Sequence, residues 1–277
     1  MTLPARTGSW SGHVEVSGIS TYVEVHGDGP PLVLLHDRLG SHTTWRHQLG
    51  PLAAAGLRVV TYDARGLGAS GPALEPYTTT DLADDVVALL DALDLGRAVL
   101  VGLSMGGGVA QACALARPDR VAGLVLVSSG SAVSERARAR FLADADAAEV
   151  HGIDAAVPAM LEKWYSAAYR HAHPKAMARA AAELRAVPRE AVAARSRANA
   201  ARALTGRLGE IACPVLVVAG ELDPADGVGR DAAYRAARGE RCRTVVVPGV
   251  SHMVPVEAPD VLNALLVDFA RSLPPFG

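Results

Sequence analysis

Ser104 stands in Gly102-Leu103-Ser104-Met105-Gly106, directly after the apolar run Ala98-Val99-Leu100-Val101 and directly before Gly107-Gly108-Val109-Ala110-Gln111, a segment able to open a helix. A Gly-x-Ser-x-Gly run between a strand and a helix is the pattern of a nucleophile elbow. The chain reverses so sharply that only glycine-sized residues fit at the flanks, and the serine hydroxyl is left at the top of the sheet. There it meets the positive end of the following helix, whose unpaired N–H groups, beginning with that of Met105, can stabilise an oxyanion. The bland alternative is a Gly/Ser-rich turn holding nothing; the order strand, elbow, helix favours the reactive reading.

At neutral pH a hydroxyl is a weak nucleophile, so the chemistry needs a histidine as base and a carboxylate to fix that ring's tautomer. An elbow of this kind is followed in the chain by the acid and then the histidine, each on a loop at the carboxyl end of a strand. Asp223 meets that condition after the apolar run Val215 to Val218, and His252 meets it after Thr244 to Val247. Glu221 and Asp226 are competing carboxylates, the first nearer the strand and the second further along the loop. His13, His26, His42, His47, His151, His171 and His173 have no such placement and read as surface or capping residues. His36 ends the run Leu32 to Leu35 at the same edge, where its usual job is to hold the loop that follows.

The elements that must position these groups are legible as patterns. Val14-Glu15-Val16 and Thr21 to Val25 alternate and are joined through Ser17-Gly18, which predicts an antiparallel hairpin. Leu32 to Leu35, Val59 to Tyr62, Ala98 to Val101, Leu124 to Val127, Val215 to Val218 and Thr244 to Val247 are short continuous apolar runs, the mark of strands buried on both faces. Asp81 to Leu90 keeps a helical period, with Thr80 or Asp81 as N-cap and Gly96 as the stop. Between Ser131 and Arg207 the strand pattern gives way to Ala- and Arg-rich helical sequence broken by Gly152, Pro158, Pro174 and Pro188. The expected architecture is α/β: a mostly parallel sheet with an N-terminal antiparallel hairpin, helices on both faces and an inserted helical lid. Residues 1–130 and 208–277 would form the core and 131–207 the lid. Met160, Leu161, Trp164, Tyr165 and Tyr169 recur at helical spacing and read mainly as packing, with Trp164 and Tyr165 as the substrate-contact candidates.

Composition bounds the partners. The chain has 277 residues, half of them hydrophobic, and a formal net charge of −2, so it can bury a large core and offers no electrostatic case for nucleic acid. No stretch approaches the roughly 20 apolar residues needed to span a bilayer, and the opening Met1 to Gly8 lacks the apolar core of a secretory signal. A cytoplasmic protein with a small-molecule substrate is expected, and a homo-oligomer is left open. Cys113, Cys213 and Cys242 lack the short spacings of zinc or redox sites and read as buried small hydrophobes. Gly66-Leu67-Gly68 lacks the surroundings of a dinucleotide loop. No metal and no organic cofactor is implied.

The run Tyr62-Asp63-Ala64-Arg65-Gly66-Leu67-Gly68-Ala69-Ser70, the elbow, and the late Asp223 and His252 together resemble the α/β-hydrolase superfamily over nearly the whole chain. Within it, Val101 to Gln111 is similar to the elbow of 3-oxoadipate enol-lactonases and their esterase and perhydrolase relatives. Glu162 to Arg170, His173-Pro174 and Arg185 to Glu190 resemble their lid more loosely. The resemblance implies a serine hydrolase acting on a small ester or lactone, with Ser104, His252 and Asp223 as triad. The backbone N–H groups of Met105 and Arg38 would form the oxyanion hole, and His36, Asp37 and Arg38 would join Trp164 and Tyr165 as substrate contacts. Relatives with haloalkane dehalogenase or epoxide hydrolase chemistry carry a carboxylate where Ser104 stands.

One residue departs from the pattern. Many relatives read His-Gly after the strand Leu32 to Leu35, whereas this chain reads His36-Asp37-Arg38. A carboxylate aimed at a developing oxyanion would oppose catalysis. Either Asp37 turns away, paired with Arg38, or the site performs other chemistry; the first is the expectation. In a functional role, Arg38 could grip a substrate carboxylate with both arms of its guanidinium. Two other readings share the scaffold: a lyase or cyclase in which His252 shuttles protons, and a non-enzymatic small-molecule receptor.

Overall fold

The computed structural model describes residues 8–73, 76–224, 233–234 and 236–276. Met1 to Thr7, most of the segment read above for a leader, and Asp226, one of the competing carboxylates, lie outside them. Eight strands form one sheet: β1 (Ser9–Val16), β2 (Ile19–His26), β3 (Pro31–Leu35), β4 (Arg58–Tyr62), β5 (Ala98–Leu103), β6 (Val121–Val127), β7 (Val215–Gly220) and β8 (Cys242–Val247), in the order β1-β2-β4-β3-β5-β6-β7-β8. β1 and β2 pair antiparallel, as do β2 and β4, and the remaining neighbours are parallel. The hairpin turn at Ser17-Gly18 takes positive φ at both residues, 50° and 77°, the twist that suits a two-residue connection.

The continuous apolar runs are explained by position. Every residue of β3, β5, β6 and β7 is buried. Successive side chains of these strands feed two cores. Val33, Leu35, Leu100, Leu124 and Leu126 pack with α2 (Thr79–Ala92) and α3 (Met105–Ala116) on one face. Leu32, Leu34, Val99, Val101 and Val125 pack with α1 (Leu49–Ala54) and the C-terminal helix Pro259–Ser272 on the other. β8 differs from expectation: it is the edge strand, and Arg243 to Val246 are only half-buried or exposed. The start of α2 also differs. Its N-cap is Thr78, whose hydroxyl accepts from the Asp81 N–H while the Asp81 carboxylate accepts from the Thr78 N–H, a reciprocal capping box that moves the start ahead of Thr80.

The chain passes from β3 outward to β4 and then back across β3 to β5, so strand order reverses between β3 and β5. The loops leaving neighbouring β3 and β5 therefore diverge to opposite faces, and the crevice between them is where open α/β sheets bind ligands. Five helices lie between β6 and β7: α4 (Glu135–His151), α5 (Val157–Trp164), α6 (Ala167–Ala172), α7 (Pro174–Arg185) and α8 (Arg189–Ala200). Pro158, Pro174 and Pro188 fall at helix starts, where a missing N–H costs nothing, and Gly152 closes α4 at φ 71°. The two ends of this segment meet in a bridge between Ala132 and Ala203. Its helices bury Ala148, Ile153, Val157, Leu184 and Val192 together with Leu39 from the loop after β3, a third small core.

Candidate active site

Ser104 joins β5 to α3 with φ 54° and ψ −114°, a left-handed conformation that a serine adopts only when its surroundings impose it. The imposing contacts are close. A Cβ on Gly102 would lie 2.3 Å from the Gly107 nitrogen, and one on Gly106 would lie 2.4 Å from the Leu35 carbonyl oxygen and 2.5 Å from that of His36. Glycine at both flanks is thus required for α3 to pack against the ends of β3 and β5. From Ala98 to Gln111, Ser104 is the one residue that is not buried. Its N–H donates to the Val127 carbonyl at 2.9 Å, and its carbonyl accepts from Ser129 Oγ at 2.6 Å.

His252, on the loop after β8, is buried, and its Nδ1 lies 2.9 Å from Oδ2 of Asp223 on the loop after β7, a carboxylate with no exposed surface. An Nδ1–H donated to that carboxylate leaves Nε2 as the ring's basic atom. Glu221 is turned elsewhere, accepting from the Gly249 N–H at 2.8 Å at the surface. Parallel pairing of β5, β6, β7 and β8 brings Ser104, Asp223 and His252 to the same carboxyl edge of the sheet.

The loop carrying His252 is tied to the inserted helices. The Met253 N–H donates to the Trp164 carbonyl at 3.1 Å, Ser251 Oγ to the Lys163 carbonyl at 3.3 Å, and the Glu257 carboxylate accepts from the N–H groups of both Ser166 and Ser251. Burial holds the Glu257 carboxyl above its ordinary pKa. The Trp164 ring stacks on His252 with centroids 6.4 Å apart. Tyr165 is buried, stacks on Tyr169 at 5.8 Å, and has its phenol pushed up by burial and by the nearby Asp37 carboxylate.

The loop after β3 answers the question raised by Asp37. Its Oδ1 accepts from the Leu39 N–H at 3.0 Å, and its Oδ2 lies 2.3 Å from where a Cβ on Gly40 would stand, so the carboxylate folds back over its own loop. The expected pairing with Arg38 does not form. Arg38 instead turns to the inserted helices, with Nη1 donating to Ser196 Oγ, Nη2 3.8 Å from Asp144, and the guanidinium over the Phe141 ring at 5.2 Å. Held there, the guanidinium is not set for a two-armed grip on a substrate carboxylate. His36 is likewise committed: Nδ1 lies 2.7 Å from the Asp37 carbonyl oxygen and Nε2 accepts from the Ala64 N–H at 3.0 Å. Both ring nitrogens serve the backbone, leaving no polar atom for a substrate. Burial, aided by the Arg195 guanidinium, pushes the His36 pKa down to about 4.

Sequence reasoning missed Arg195, Ser129 and Glu257. Arg195 is one of many arginines in its segment and Ser129 one of several serines, and a single carboxylate such as Glu257 carries no local pattern. Among the described residues no group of three or more His, Cys, Asp or Glu could hold a metal ion, and no helix is long and apolar enough to cross a membrane. The three cysteines are buried.

Comparison with known proteins identifies the family. The sequence is 37% identical over 255 residues, 90% of this chain and 95% of the relative, to a Variovorax paradoxus protein named as a carbamate hydrolase, RutD. It is 27% identical to 3-oxoadipate enol-lactonase 1 of Acinetobacter baylyi over 92% of this chain and 95% of that one. The fold superposes on the crystal structure of the enol-lactonase from Burkholderia xenovorans with a TM-score of 0.89 and 27% identity, covering 94% of this chain and 100% of that one. Residues 32–265 match the model of the alpha/beta hydrolase family, and the chain belongs to that family.

Proposed function

We propose that the protein is a serine hydrolase that cleaves a small ester or lactone through an acyl-enzyme. The observation that carries the reading is the pair His252–Asp223 at 2.9 Å on the sheet edge where Ser104 is held at the start of α3 in a strained conformation. His252 takes the Ser104 proton on Nε2 as Oγ bonds to the carbonyl carbon, and Asp223 stabilises the imidazolium. The carbonyl π electrons move to oxygen, which the N–H groups of Met105 and Arg38 receive. Collapse of this intermediate expels the alkoxide or enolate, which takes the proton from His252. Water, deprotonated by the same ring, then releases the acid and restores Ser104. The five inserted helices act as a lid that narrows access and excludes bulk water, with Trp164 and Tyr165 toward the substrate.

Support for this reading over lyase or cyclase chemistry comes from Asp37. The carboxylate that would favour the alternative is bound to the Leu39 N–H. The enol-lactonase and carbamate hydrolase names of the relatives also favour acyl chemistry. The test is turnover of p-nitrophenyl acetate and of a small enol-lactone by the wild type and by Ser104→Ala. The reading requires the variant to lose at least about 1,000-fold in kcat with its fold intact. Undiminished turnover refutes it, and ligand binding without any turnover in the wild type points to a receptor.

A further inference from the structure

We propose that Arg195, on α8 of the inserted helices, is a positioning residue that aims the oxyanion-binding N–H of Arg38. The inference rests on the serine-hydrolase reading and names a part of that site which lies outside the α/β core.

Arg195 is a buried guanidinium with no carboxylate in ion-pair contact among the described residues. Two of its hydrogen bonds go to consecutive carbonyls of the loop after β3: Nε donates to the Arg38 oxygen at 2.6 Å and Nη2 to the Asp37 oxygen at 3.3 Å. The Asp37 oxygen also faces His36 Nδ1 at 2.7 Å. No peptide among the described residues is cis, so the Asp37 carbonyl and the Arg38 N–H point in opposite directions from one plane. Two donors pulling on that oxygen therefore fix where the N–H is aimed, and among the described residues this N–H has no acceptor of its own. A buried cation without a counter-ion is unfavourable for stability, and a hydrophobic side chain would fill the site at lower desolvation cost. The two carbonyls it holds offset part of that cost. One consequence is that the lid contributes to catalysis through geometry as well as through enclosure.

The test compares Arg195→Met and Arg195→Lys with wild type and with Ser104→Ala. The measurements are kcat and KM on p-nitrophenyl acetate, inhibition by a phenylboronic acid that forms a tetrahedral adduct on the serine, and the thermal midpoint. Misaiming one donor is expected to lower kcat about 10- to 100-fold and weaken the boronate by a similar factor, with KM changed less than about threefold. If the Met variant does not fold, the Lys variant decides, because a single ammonium keeps the charge but cannot hold both carbonyls in the same way. A normal kcat and normal boronate affinity in a folded variant overturn the proposal, as does a rise in KM at unchanged kcat. If Ser104→Ala retains full turnover, the hydrolase reading itself fails; if only the Arg195 variants are normal, the positioning role alone fails.

Discussion

At the scale of single residues, Asp37, His36, Glu257 and Arg195 around the site are each committed to backbone partners. Asp37 is the clearest case: it stands where the family resemblance leads to a glycine being expected, and its carboxylate caps the Leu39 N–H. Asp37→Gly should therefore keep or raise ester turnover and lower stability by about 1–2 kcal/mol through the lost hydrogen bond. Parallel assays and chemical denaturation check this, and a collapse of activity with the fold intact would show that the carboxylate takes part in the reaction. His36 makes a pH prediction with a defined sign. Its ring titrates at 6.5 when unperturbed and at about 4 in the fold, where burial and Arg195 oppose protonation more than Asp37 and Asp63 favour it. In that window the unfolded chain binds the extra proton, so the His36 contribution is complete above 6.5 and is lost as pH falls toward 4. Urea midpoints measured across this range should fall with acidification, and His36→Gln should flatten the slope. An unchanged slope in the variant would contradict the assignment.

At the scale of elements, the elbow is the joint on which the site depends. Gly106 lets α3 approach β3 until a Cβ would stand 2.4 Å from a backbone oxygen, and backbone cannot give way as a flexible side chain can. Gly106→Ala should lower stability by about 3 kcal/mol and abolish ester turnover, because the only relief is to push α3 and the Ser104 turn away from the β3 loop. A thermal melt and an ester assay suffice, and a stable, active variant would mean the elbow is looser than described. Elements of this kind were legible in sequence because their patterns are local: the hairpin, the buried strands and the strand, elbow, helix order all follow from spacing. The Thr78 cap was less legible, because three consecutive threonines offer three equivalent starts and only the reciprocal bond with Asp81 selects one. The half-exposed face of β8 could not be read at all, since edge position is a property of the sheet order and not of Cys242 to Val247.

At the scale of the whole molecule, the sheet order decides which loops meet. Strand order reverses between β3 and β5, and parallel pairing from β5 to β8 carries Ser104, Asp223 and His252 to one edge, although 148 positions separate the first from the last. The inserted helices close on that edge through Glu257, which bridges Ser166 and Ser251, and through Arg195 of α8, which donates to the β3 loop. These long-range ties escaped sequence reading because Arg195 and Glu257 acquire meaning only from the backbone groups that the fold brings to them. The central claim is that this convergence makes Ser104 a nucleophile that carries the acyl group. Rapid acid quenching after mixing with p-nitrophenyl acetate, followed by peptide mass spectrometry, tests it most directly. An acetyl adduct should be found on the peptide containing Ser104 in step with a burst of p-nitrophenolate, and both should vanish in Ser104→Ala. Steady turnover with no adduct at Ser104 under any quench time, or an adduct on another residue that persists in the variant, would contradict the account.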